Sequence, residues 1–133
     1  MDTSETYIKM CEKAEEIQRG HKPELYDLRA VWIPKQQRTP PDGTAMLGEY
    51  KVYEIDEFGI WLPRQDQLQE MVDWKGFDIS IDWHSLPCKF YWAKDPLETQ
   101  GVNGDSMEQL WLAFVMHERY QKSWDGSKWI ATC

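Results

Sequence analysis

The sequence predicts an α+β fold: a single domain in which two terminal helices and a short middle helix pack on a small, mostly antiparallel sheet. Three observations predict it. The stretch Met107–Tyr120 repeats Leu110, Trp111, Phe114 and Val115 at helical spacing behind a Ser106–Gln109 capping pattern. The segments around Tyr50–Ile55 and Phe77–Trp83 alternate apolar and polar residues, the period of a strand. Helical and strand patterns do not alternate regularly along the chain, which argues against a doubly wound parallel sheet. The 133 residues suit one domain with one core.

Taken in order, the first helix is expected from Ser4 to Arg19, capped by Thr3 or Ser4 and stopped by Gly20. Its apolar stripe is Tyr7, Met10, Cys11, Ala14 and Ile17. Leu25–Ile33 is largely apolar but includes Asp27 and Arg29, and Val31-Trp32-Ile33 reads as a short strand. Lys35–Thr44 is a polar loop containing the turn signal Pro41-Asp42-Gly43. Glu49–Leu62 reads as a β-hairpin turning at Asp56-Glu57-Phe58-Gly59. Pro63 ends it, and a short helix follows over about Arg64–Val72. Phe77–Trp92 suggests a second hairpin. Asp95–Asp105, with Pro96, Gly101 and Gly104, reads as a loop. Beyond the last helix, Asp125-Gly126 is expected to turn the chain so that Trp129-Ile130 packs back as a short strand.

Charge and composition narrow the function more than any motif does. Against 23 acidic residues stand 15 basic ones, a net charge of −8 without a basic cluster. Nucleic-acid backbones need a positive footprint, so no nucleic-acid binding is expected. No apolar run reaches the ~18 residues of a membrane span, and the opening MDTSETYIKMCEKAEE is too polar for a signal peptide. A cytoplasmic protein without membrane contact is the expectation. Cys11, Cys88 and Cys133 lack CxxC spacing and are expected as free thiols, with Cys11 buried on the first helix.

Catalytic signatures are missing. There is no GxSxG, GxxxxGK[ST] or GxGxxG, and His117-Glu118 lacks the second histidine of a zinc-protease helix. His84 and Cys88 lie four apart without a second pair, so no metal and no cofactor are expected. Eight tryptophans are many for this length. Trp61 and Trp111 are expected in the core, while Trp74, Trp83 and Trp92 are the better candidates for an exposed surface. The candidate binding site is therefore the middle segment around Trp83 and His84, near the turn formed by Arg64 and Asp66.

Two segments, Ile60–Met71 (IWLPRQDQLQEM) and Ser106–Gly126 (SMEQLWLAF through WDG), together with the N-terminal helix, resemble small phage- and prophage-encoded hypothetical proteins of similar length. The resemblance implies a bacterial cytoplasm and a mobile-element setting. It implies no activity, and it carries over no functional residue.

The leading expectation is a small binding or accessory module that acts through contact with a protein partner. The alternative is a small-molecule or nucleotide-related binding protein or enzyme with a pocket between the hairpin and the helices. A flat exposed aromatic patch favours the first. A cleft with converging histidine, arginine and carboxylates favours the second.

Overall fold

The computed structural model describes residues 1–24, 26–34, 48–55, 58–82, 84–95 and 97–132. Among them are four α-helices and eight strands, the strands forming three small antiparallel sheets rather than one. The α+β class is as the sequence predicts.

The first helix is two. Helix α1 spans Glu5–Lys13 and α2 spans Glu15–Gly20. Ser4 caps α1, its hydroxyl accepting the Tyr7 N–H at 3.2 Å. Between the helices Ala14 takes φ −83°, ψ 66° and gives its N–H to Met10 and Cys11 carbonyls. Nothing in the local sequence breaks a helix there. Tyr7, Ile8, Met10 and Cys11 of α1 enter the core, while Gln18 of α2 reaches a strand edge.

Strand β1 (Leu28–Pro34) is longer than Val31–Ile33 and lies at the centre of the first sheet, between β2 (Gly48–Glu54) and β3 (Ile60–Leu62). The hairpin expected over Glu49–Leu62 therefore does not form. Its two arms both pair with β1, Ala30 opposing Val52 on one side and Ile60 on the other. Buried Ala30 takes the central place because β1 supplies backbone to both neighbours. Gly59, at φ +96°, permits the approach: a Cβ there would lie 2.8 Å from the Ala30 carbonyl. Asp56, Glu57 and the whole Lys35–Thr44 loop lie outside the described residues.

Helix α3 (Gln65–Glu70) is shorter than expected and is followed by a single 3₁₀ turn at Trp74–Gly76. Strands β4 (Asp78–Asp82) and β5 (Cys88–Ala93) make the second hairpin, with Ile79 opposite Trp92 and Ile81 opposite Phe90. The stretch expected as a loop contains β6 (Gln100–Gly104), which pairs with the other side of β5. Its glycines mark close packing, not a turn. A Cβ on Gly101 would meet the Tyr91 ring at 2.9 Å, and one on Gly104 would meet Gln109 and Leu110 at 3.1 and 3.2 Å.

Helix α4 (Met107–Tyr120) keeps its expected cap, Ser106 Oγ accepting the Gln109 N–H at 3.2 Å. It is buried continuously from Gln109 to Met116. Trp111 packs edge-on against Phe90, and Phe114 edge-on against Trp92 and Trp111, the ring centroids 5.0–5.6 Å apart. The C-terminal strand is also as expected: β8 (Trp129–Ala131) folds back on β7 (Lys122–Trp124). Its Trp129 indole donates to the Met10 carbonyl at 2.9 Å.

Candidate functional site

A carboxylate–imidazole pair sits where the first sheet meets α2 and α3. Asp27 immediately precedes β1 and is 1% exposed. Its Oδ2 accepts the Glu24 N–H at 2.8 Å and bonds the His21 Nε2 at 2.7 Å. Burial by itself raises the Asp27 pKa, but the Glu24 N–H, the His21 imidazole and the Gln67 amide outweigh it, holding the carboxyl below its ordinary value. Asp27 is thus an anion, so His21 Nε2 carries the proton that it donates. The backbone beside it is strained: Tyr26 occupies the left-handed region at φ +69°.

His21 is held on its face as well. Its ring stacks on the Trp61 ring with centroids 3.4 Å apart and planes 3° from parallel. Trp61 is fixed in turn by Gln18, whose amide bonds both backbone groups of that residue, donating to its carbonyl at 2.8 Å and accepting its N–H at 2.9 Å. Gln18 therefore pairs with the edge of β3 as a neighbouring strand would.

Gln67 completes the group. The Arg64 N–H donates to Gln67 Oε1 at 2.9 Å, which orients the amide and leaves Nε2 as a donor. That nitrogen is buried, on a residue only 8% exposed, and stands beside the Asp27 carboxylate, whose pKa the amide helps to lower. Gln67, His21 and Trp61 line an open cleft of about 260 Å³, together with Glu24, Glu70, Met71 and Arg119. Histidine, arginine and carboxylates from three separate stretches of chain converge there.

Arg64, Asp66 and His84, expected from sequence to form a site, do not line this cleft. Arg64 pairs with its neighbour Asp66 at 3.1 Å on the surface, and it serves the cleft only through its backbone. His84 is exposed in the β4–β5 turn, its N–H given to Asp82 Oδ1 at 3.0 Å. Among the described residues no hydrogen bond or ion pair joins His84 to Arg64 or Asp66. Trp83 lies outside the described residues. Trp92 is not a surface residue: it is 2% exposed and donates its indole N–H to Glu118 at 2.7 Å. Trp74 is partly exposed at 37%, and Trp32, not singled out in the sequence, is more so at 48%.

The expectations for the two core tryptophans and for Cys11 hold. Trp61 and Trp111 are buried. Cys11 is buried in the core, and burial pushes its thiol far above its ordinary pKa, which makes it unreactive. No helix is long and apolar enough to cross a membrane among the described residues. No three His, Cys, Asp or Glu side chains among them gather as metal ligands.

One sequence signal pointed to this cluster. Asp27 and Arg29 interrupt an otherwise apolar run, and charges inside an apolar strand must find partners when buried. Arg29 NH2 lies 3.9 Å from Asp27 Oδ2. Comparison with protein-family models, with curated proteins and with solved structures finds no match.

Proposed function

We propose that the protein binds a small polar molecule in the His21–Gln67–Arg119 cleft and exchanges a proton with it through His21. The His21–Asp27 pair, set beside Gln67 and Arg119 in one open cleft, carries this reading. Asp27 holds His21 by Nε2, which leaves Nδ1, without a protein partner among the described residues, to act as proton acceptor. Gln67 and Arg119 offer donors, and Glu24 and Glu70 offer acceptors, so the fitting molecule carries both kinds of group. A volume of about 260 Å³ limits it to the size of an amino acid, a hydroxy acid or a small sugar.

A ligand-observed NMR screen of such compounds tests this reading, run on the wild type, Arg119→Ala and His21→Gln. Arg119 is solvent-exposed, so its removal leaves folding intact. Supporting hits bind the wild type and are lost or weakened about tenfold or more in both variants. Hits that bind all three proteins alike contradict it.

A second reading, contact with a protein partner, is favoured by the half-exposed Trp32 ring on the first sheet. A cytoplasmic, phage- or prophage-related setting belongs to either reading. It rests on the resemblance of the Ile60–Met71 and Ser106–Gly126 segments, and the neighbouring genes in the source genome test it.

A further inference from the structure

The two edges of the first sheet are finished differently. The Ile55 N–H donates to the Asp27 carbonyl at 3.1 Å, and the same register runs along the β1–β2 ladder, with Arg29 opposite Tyr53, Val31 opposite Lys51 and Ile33 opposite Glu49. Antiparallel pairs alternate between those that exchange hydrogen bonds and those that do not. Glu49, Lys51 and Tyr53 therefore bond to β1, whereas Gly48, Tyr50, Val52 and Glu54 turn their N–H and C=O groups away from it. On the far side of the sheet, Trp61 of β3 turns the same two groups outward, and Gln18 takes both. Among the described residues, no side chain or strand does this for β2. An open row of backbone donors and acceptors is a template for another strand.

The side chains on that edge say which strand. Tyr50 and Val52 share a face with Trp32 and buried Ala30, while Glu49 and Lys51 project, exposed, from the opposite face. Neither Glu49 nor Lys51 has an ion pair among the described residues. Opposite charges two residues apart on an open edge complement a second copy of themselves. In an antiparallel pairing with Tyr50 opposite its own copy, Glu49 of each chain stands opposite Lys51 of the other. Those are non-hydrogen-bonded positions, where Cα atoms are about 4.5 Å apart and side chains closest. A register with Lys51 opposite itself sets like charges together. One with Val52 opposite itself leaves Lys51 against Tyr53 and Glu49 against Ile55. On the other face, the Tyr50 register places two Tyr50 rings side by side and extends the apolar row begun by Trp32, which is 48% exposed and 4.9 Å from the Tyr50 ring. Because Gln18 closes the β3 edge, the pairing ends at two chains.

We propose that the protein self-associates through β2: two copies join their first sheets into one continuous antiparallel sheet about a two-fold axis at Tyr50, with Glu49–Lys51 pairs across the junction. This rests on the second reading above, contact with a protein, and names a second copy as that partner. It is independent of the His21 cleft.

Sedimentation equilibrium of the full chain, from about 10 μM to 1 mM, tests the proposal; a strand-edge interface is small, so a dimer that fills over this range is expected. Lys51→Glu and Glu49→Lys each set like charges opposite one another and should weaken self-association about tenfold. An equimolar mixture of these two variants, and the double variant E49K/K51E, both recreate opposite charges in this register and should restore the dimer. Both positions are exposed, so the fold is kept, and circular dichroism verifies it. Amide exchange gives a second readout. The Tyr50 and Val52 N–H groups should exchange more slowly as concentration rises, while that of Lys51, bonded to Val31, is slow throughout. A monomer at every concentration overturns self-pairing and leaves contact with a different protein standing. A dimer indifferent to the single reversals, one not restored by the charge exchange, or one that leaves Tyr50 and Val52 unprotected uses another surface and overturns the proposal as well.

Discussion

Asp27 concentrates the energetics of the site in one side chain. It is buried, anionic and bonded to an imidazole, with Arg29 nearby. Its lowered pKa fixes the sign of a pH effect. The unfolded chain binds the proton more readily than the native one, so the contribution to stability is complete above the unfolded value of ~3.9. It is lost as pH falls below that value and through the folded pKa. Asp27→Asn should therefore cost about 1.5–3 kcal/mol at neutral pH and flatten the acid limb of the stability curve. Urea titrations of both proteins from neutral to acid pH check this; parallel curves would mean that the carboxylate is not held as described. Sequence alone could flag Asp27 as a charge in an apolar run. It could not name His21 as the partner, because the pairing depends on the turn that puts Tyr26 at φ +69°.

At the scale of elements, the joints are held by polar side chains that reach across the chain. Gln18 bonds both backbone groups of Trp61, and so ties α2 to β3 and sets the ring on which His21 stacks. Gln18→Ala should cost about 1–3 kcal/mol, since it removes two hydrogen bonds and exposes a strand edge. Its amide-exchange signature should be faster exchange at Trp61 than at residues of β1. Uniform acceleration over the whole sheet would contradict that local role.

The glycines of β6 act differently. Gly101→Val would drive a branched side chain into the Tyr91 ring and should destabilise the protein by about 1–3 kcal/mol in a thermal or denaturant melt. A neutral effect would show that the ring moves aside freely. Here the sequence misled for a definable reason. Gly, Asn and Pro mark turns when local chemistry decides, but at Gly101 and Gly104 the missing side chain serves tertiary contact. The break at Ala14 and the central place of β1 escaped for the same cause: neither is written in local propensity.

Across the whole molecule, what was legible is what repeats along the chain. The α4 stripe, its Ser106 cap, the β4–β5 hairpin and the final β8 return all follow from periodicity and turn chemistry. The core assembles around that helix, so Leu110→Ala should cost on the order of 2–5 kcal/mol, read from a denaturant titration. A loss below about 1 kcal/mol would contradict the burial of the stripe. The candidate cleft was not legible, because His21, Asp27, Trp61, Gln67 and Arg119 come from separate elements whose meeting is a property of the fold. The central claim is that Asp27 fixes His21 so that its other nitrogen can work on a bound molecule. Long-range proton–nitrogen NMR of the His21 ring tests this most directly, at neutral pH, with and without a compound retained by the wild type but not by Arg119→Ala. The expected result is the tautomer protonated at Nε2 in the free protein, with the Nδ1 resonance moving when the compound binds. A ring protonated at Nδ1 alone, or an Nδ1 resonance that ignores the bound compound, would contradict the account.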